Sequence, residues 1–255
     1  MQQQKPRTGD RAGYHTGGTV GKLIIMAAIV AALIFGVAIF FKVNTIEVQG
    51  NTIYSVDRIL DVSGLEIGDN LLTVNKATTA GNIKAALPYV EGVSIARSLP
   101  DTVVIRVSES EACFAVPTAT NTIWLINAQG KALERIDPSD AENYPQIIGV
   151  MLDSPTAGEQ VTSPSKTQLE AAISVLTELD GTGIHENIAS LNVEKEYDIV
   201  LWYADRYEIR LGGTEDIAYK VQYLVSILDQ LSEYQAGVID LTEASVGKAR
   251  FQPRA

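Results

Sequence analysis

Residues 23–41 form a run of 19 positions without a charge or a proline, and no polar stripe breaks it. As a helix it is about 28 Å long, close to the hydrocarbon thickness of a bilayer. A soluble surface helix would carry a polar face. A cleaved export signal would have a shorter apolar core ending in small residues, whereas this run closes on Ile39, Phe40 and Phe41. The pattern predicts one transmembrane helix at 23–41, following a short tail at 1–22.

Beyond it the periods shorten. Val43, Ile46 and Val48 make a β-prone run closed by Gly50 and Asn51. Ser55 suits a helix N-cap, with Val56, Ile59 and Leu60 on one face and Gly64 as the stop. A second helix carries Ile83, Ala86 and Leu87 and ends at Pro88. Two strands follow, one with Val93 and Ile95, the other alternating Val103, Ile105 and Val107, joined by a turn at Leu99, Pro100 and Asp101. The predicted order is β-α-α-β-β.

Residues 110–255 predict a second mixed sheet. Ile123 to Ile126 and then Ala132 and Leu133 read as a hairpin around Gly130. Ser163 and Pro164 read as N-cap and first residue of a helix with Leu169, Ala172, Ile173, Leu176 and Leu179 on one face. Strands are expected at 188–193, 197–203 and 207–211. In the last two, Ile199, Leu201 and Tyr203, then Tyr207, Ile209 and Leu211, alternate. A final helix starts near Thr214 with Ile217, Val221, Leu224, Leu228 and Leu231 as its stripe. A short strand of Val238, Ile239, Asp240 and Leu241 comes last. The fold class is α+β.

Charge sharpens this picture. The formal net charge is -11, but residues 1–22 carry +3, from Lys5, Arg7, Arg11 and Lys22 against Asp10. By the positive-inside rule the tail is cytoplasmic and residues 43–255 are extracytoplasmic, on a single-pass cell-membrane protein. An exported domain this acidic argues against nucleic-acid binding. One cysteine, Cys113, and two histidines, His15 and His185, allow no disulfide within the chain and little metal chemistry. No cofactor is expected.

Catalytic patterns are incomplete. Ser163 to Lys166 match the S-x-x-K of penicillin-binding enzymes, which would make the chain a peptidoglycan-acting envelope enzyme. The companion motifs fail, because Ala141 follows Ser139-Asp140 and Gln168 follows Lys166-Thr167. His185 sits in a loop, Cys113 sits in an apolar run at 112–116, and Gly18 to Lys22 lack the first glycine and final hydroxyl of a phosphate loop. The expectation is a non-enzyme without a small-molecule substrate.

Three segments carry a resemblance: VQGN at 48–51, SGLEIGDNLL at 63–72, and ALPYVEGVSIARSLPDTVVIRVSE at 85–109. In the last, Leu-Pro precedes a strand reading V-x-I-x-V-x-E. Together they resemble the POTRA domain of the bacterial cell-division family FtsQ/DivIB. The closing strand ending in Asp240-Leu241, a glycine-containing loop, and Phe251 and Pro253 resemble the same family's C-terminus. Thr242 stands where many relatives have Arg. The resemblance implies a POTRA domain at 43–109, a β-rich domain at 110–255 and enrichment at the division septum. It further implies a scaffold that binds the FtsL and FtsB/DivIC coiled-coil pair and links it to septal wall synthesis, with the POTRA domain meeting other divisome proteins. A POTRA-type transport component is the other reading of such a domain, although one unit and no barrel-forming strands are present. Strand 238–241 could be an open edge for strand addition or an interior strand; the resemblance favours the edge. The partner-binding candidates are Val238, Ile239, Asp240, Leu241, Thr242 and Phe251.

Overall fold

The computed structural model describes residues 16–110, 113–231 and 234–254. Most of the expected cytoplasmic tail therefore lies outside the described residues, as do Glu111 and Ala112. Helix α1 (Thr16–Phe40) contains a 20-residue stretch, Gly21–Phe40, long and apolar enough to cross a membrane, and none of its side chains is buried in the protein.

The β-α-α-β-β order is present as β1 (Thr45–Gln49), α2 (Val56–Ser63), α3 (Lys76–Ala86), β2 (Val90–Ser98) and β3 (Thr102–Glu109). The three strands form a sheet in the order β1-β3-β2. Local chemistry sets the helix ends. Ser55 accepts the Arg58 amide at 3.2 Å, Asn75 accepts the Thr78 amide at 3.2 Å, and Gly64 ends α2 at φ 70°, in the left-handed region that glycine enters without strain.

A nine-stranded sheet contains the remaining strands: β4 (Cys113–Pro117), β5 (Ile123–Asn127), β6 (Ala132–Ile136), β7 (Gln146–Ile148), β8 (Ile188–Asn192), β9 (Ile199–Tyr203), β10 (Tyr207–Gly212), β11 (Gly237–Asp240) and β12 (Arg250–Pro253). Their order is β12-β11-β10-β9-β8-β7-β4-β5-β6. Two crossovers organise it. Helix α4 (Lys166–Leu179) links the parallel neighbours β7 and β8, and α5 (Ile217–Leu228) links the parallel neighbours β10 and β11. Parallel neighbours require such a crossover, because a tight turn can only reverse the chain. Leu169, Ala172, Leu176, Val221 and Leu224 from the helices share one core with Ile147, Leu191, Leu201, Ile209 and Ile239 of the sheet.

Three expectations are corrected. Strand 238–241 is interior rather than an edge, since β11 pairs with β10 on one side and β12 on the other. Ser163 does not cap α4. The helix begins at Lys166 after Ser165, while the buried Ser163 hydroxyl donates to the Met151 carbonyl at 2.7 Å and accepts the Ser165 amide at 3.1 Å. Helix α5 begins at Ile217, later than Thr214, because Asp216 sits in a left-handed conformation at φ 54°.

The described residues divide into two compact units. One comprises residues 16–47, Glu66–Val74 and Arg97–Val104; the other comprises Val48–Leu65, Asn75–Ala96 and residues 105–254. The first buries Val43, Leu71 and Val103 completely, and the second buries Ile59, Ile83, Leu125, Leu201 and Ile239 completely.

Candidate functional site

The end of the large sheet is built by register. Glu208 lies opposite Trp202 on β9 and opposite Val238 on β11, and Val238 lies opposite Gln252 on β12. Because side chains alternate along a strand, Leu201, Ile209, Ile239 and Phe251 belong to the helix-covered face. Val200, Trp202, Glu208, Arg210, Val238, Asp240, Arg250 and Gln252 share the opposite face, where each is half-buried or exposed.

Charges on that face form a short network. Glu208 accepts from Arg210 at 2.7 Å through one oxygen and from Arg254 at 3.1 Å through the other, and the Arg254 guanidinium lies over the Trp202 ring, 5.6 Å from its centroid. Asp240 accepts the Thr242 hydroxyl at 2.7 Å and its amide at 3.0 Å. Burial acts to raise the Asp240 carboxyl, but these two hydrogen bonds and the nearby Arg210 and Arg250 hold it below the usual range.

The outer strand is β12. The Arg254 amide donates to the Ala236 carbonyl at 2.8 Å, and Gly237 pairs with Pro253 next to it. In an antiparallel ladder hydrogen-bonded pairs alternate, so Arg254, Gln252 and Arg250 face β11. The N–H and C=O of Phe251 and the C=O of Pro253 then face away from the sheet. Gly237 lets β12 approach, since a Cβ there would collide with the Gln252 carbonyl and crowd the Phe251 ring.

The candidate residues thus separate into kinds. Ile239 and Leu241 are fully buried core side chains. Val238, Asp240 and Phe251 are half-buried, and Thr242 is exposed. Sequence reasoning passed over Trp202, Glu208, Arg210, Arg250 and Arg254. A signal for the first three existed, because the inward alternation 199, 201, 203 and 207, 209, 211 assigns 202, 208 and 210 to the other face.

The catalytic candidates come out differently. Cys113 and His185 both line a cleft of about 660 Å³ with Thr52, Ser110 and Tyr144. Burial pushes the Cys113 thiol up to about 11, with Glu134 and Glu91 adding to the effect, so it is protonated at neutral pH. The Ser163 proton is engaged by a backbone carbonyl. No cluster of metal-ligating side chains occurs among the described residues.

Two family models match this chain: the FtsQ-type POTRA domain over residues 41–110, and the C-terminal domain of cell division protein FtsQ/DivIB over residues 115–242, half of the chain. The chain belongs to the FtsQ/DivIB family. Similar relatives include cell division protein FtsQ of Corynebacterium glutamicum, 28% identical over 211 residues covering 82% of this chain and 88% of the relative. Cell division protein DivIB of Clostridium botulinum strain Hall is 26% identical over 210 residues, 80% of this chain and 79% of the relative. FtsQ of Syntrophotalea carbinolica is 25% identical over 234 residues, 89% and 79%. Membership carries a role in the divisome and interaction with other divisome components. Among the described residues one helix is long and apolar enough to cross a membrane, which fits a single-pass membrane protein. Strand β12 lies beyond the last residue that the C-terminal model matches.

Proposed function

We propose that this chain is a non-catalytic scaffold that binds the FtsL and FtsB/DivIC coiled-coil pair by adding a strand of the partner to β12. The observation that carries this reading is the outward-facing Phe251 N–H and C=O at the end of a nine-stranded sheet. An extended partner segment pairing there gains backbone hydrogen bonds, while Arg250, Gln252 and the Glu208–Arg254 network read its side chains. The basic tail is cytoplasmic, and both the POTRA domain at 43–109 and the β-rich domain at 110–255 are extracytoplasmic, enriched at the septum. The POTRA domain meets further divisome members, and the assembly is linked to septal wall synthesis. Anchoring in one membrane raises the effective concentration of partners, so modest contacts suffice.

The test compares Phe251→Pro with Phe251→Ala in the full chain. Both remove the ring, but only proline removes the outward N–H, and it costs no bond to β11. Capture of the coiled-coil pair should fall much further for proline than for alanine. Equal capture by the two variants overturns the backbone mechanism.

A further inference from the structure

The junction between helix α1 and the first strand is closely tied to two loops. The Phe41 carbonyl accepts the Leu71 amide at 2.7 Å, the Val43 amide donates to the Asp69 carbonyl at 2.8 Å, and the Val43 carbonyl accepts the Gly68 amide at 2.8 Å. On the other side the Asn44 and Thr45 amides donate to the Asp101 carbonyl at 2.9 and 3.3 Å. The exit segment is thus clasped by loop 66–72 and loop 99–101, all within one compact unit with α1.

Those loops carry large apolar side chains that the protein does not cover. Ile67 and Leu99 are each 65% exposed and Leu72 is 42% exposed; Phe40, on the last turn of the helix, is likewise 65% exposed. Isolated exposed leucines are ordinary on a protein surface. Here three occur on loops hydrogen-bonded to four of the five residues, 41–45, that follow the apolar span Gly21–Phe40. Two residues of chain reach at most ~7 Å, so each tip lies within about that distance of a backbone bond to the exit segment. Two of the three carboxylates in those loops, Asp69 and Asp101, are engaged by neighbouring donors, while Glu66 is exposed. Asp69 accepts the Glu66 amide at 3.0 Å, and Asp101 accepts the Asn44 side chain at 3.1 Å and the Thr102 hydroxyl at 3.2 Å.

We infer that Ile67, Leu72 and Leu99 form a foot that dips into the outer leaflet at the boundary between acyl chains and headgroups. The occupant follows from continuity with the helix. A segment clasped within five residues of the end of a bilayer-length helix has the membrane surface as its neighbour. Apolar tips at that level gain burial, as interfacial aromatic and aliphatic residues do. The foot would hold the compact unit that carries it at the membrane surface. The inference rests on reading α1 as a membrane span.

The experiment uses the full chain carrying Cys113→Ala, reconstituted in phosphatidylethanolamine and phosphatidylglycerol vesicles. Single spin labels are placed through Ile67→Cys, Leu72→Cys or Leu99→Cys. Ile29→Cys in the span and Tyr197→Cys, exposed on the other compact unit, serve as references. Accessibility to oxygen, which partitions into lipid, is compared with accessibility to a water-soluble nickel chelate. The ratio at 67 and 99 should exceed that at 197 several-fold and approach that at 29. Ratios equal to that at 197 overturn the inference. Protection from both reagents means a protein contact and also overturns it. If position 29 itself is water-accessible, the span reading fails and the foot fails with it; if only 29 is lipid-exposed, the foot alone fails.

Discussion

Glu109, the acidic end of the V-x-I-x-V-x-E strand, gives a test of how the sequence motif acts. Its Oε2 accepts the Ile53 amide at 2.6 Å, the Thr52 amide at 2.7 Å and the Thr52 hydroxyl at 2.8 Å, and its Oε1 accepts the Tyr54 amide at 3.2 Å. One carboxylate therefore closes the turn after β1. Burial acts to raise this carboxyl, but the four hydrogen bonds outweigh it and hold it below its ordinary value of 4.5. Glu109→Gln removes the charge from three bonds and replaces the fourth acceptor with a donor. Hydrogen bonds to charged groups contribute roughly 1.5–3 kcal/mol and neutral ones roughly 0.5–1.5. In this half-exposed site water recovers part of the difference, leaving a loss of about 1–2 kcal/mol. Amide hydrogen exchange of residues 52–54 in the full chain should accelerate by roughly 5- to 30-fold, the factor corresponding to that free energy. The sign with pH follows from the lowered value. The stabilisation is complete above the unfolded carboxyl's pKa and is lost as pH falls through the folded one. Protection of 52–54, corrected for intrinsic exchange, should therefore collapse below pH 4.5 in the parent and be flat with pH in the variant. Unchanged exchange in Glu109→Gln, or the same pH profile in both proteins, refutes the reasoning.

Other outcomes follow from the same geometry. Ile239→Pro, at a fully buried position between two strands, should unfold the large sheet at a cost of about 3 kcal/mol or more, visible as a lowered thermal midpoint. Gly237→Ala should detach β12 while leaving β10 and β11 paired, read as faster exchange at Arg250, Gln252 and Arg254 and, across the same ladder, at Val238 and Asp240. Cys113, with its thiol pushed up to about 11, should alkylate at pH 8 roughly a hundredfold or more slowly than glutathione, and reach a comparable rate only on denaturation. Ser163→Ala with Lys166→Ala should leave cell division intact, whereas loss of division with a folded protein would revive the envelope-enzyme reading.

Legibility in the sequence followed the physics of each element. Strands β3 and β10 were visible because alternation, as in Val103, Ile105 and Val107, marks a sheet with one buried face. Strand β7 was not, since Gln146–Ile148 is three residues long and too short for any period. Strand β12 was hidden by the traits that suit an edge. Arg250, Gln252 and Pro253 read as loop because charge and proline protect open strands. The misplaced edge at 238–241 had a remedy in the chain itself. A strand at 207–211, a helix from 217 and a strand at 238 make a β-α-β unit. Its strands lie parallel and adjacent, which covers one side of the second. The Glu208, Arg210 and Arg254 network was less accessible, because it joins positions 46 residues apart.

The central claim is that β12 receives a partner strand, and amide exchange of Phe251 tests it most directly. In the full chain, addition of the FtsL and FtsB/DivIC pair should slow exchange of the Phe251 amide, which faces away from β11, while exchange in β5 and β6 at the opposite end of the sheet stays unchanged. Binding of the pair with Phe251 exchange unaltered would contradict the account.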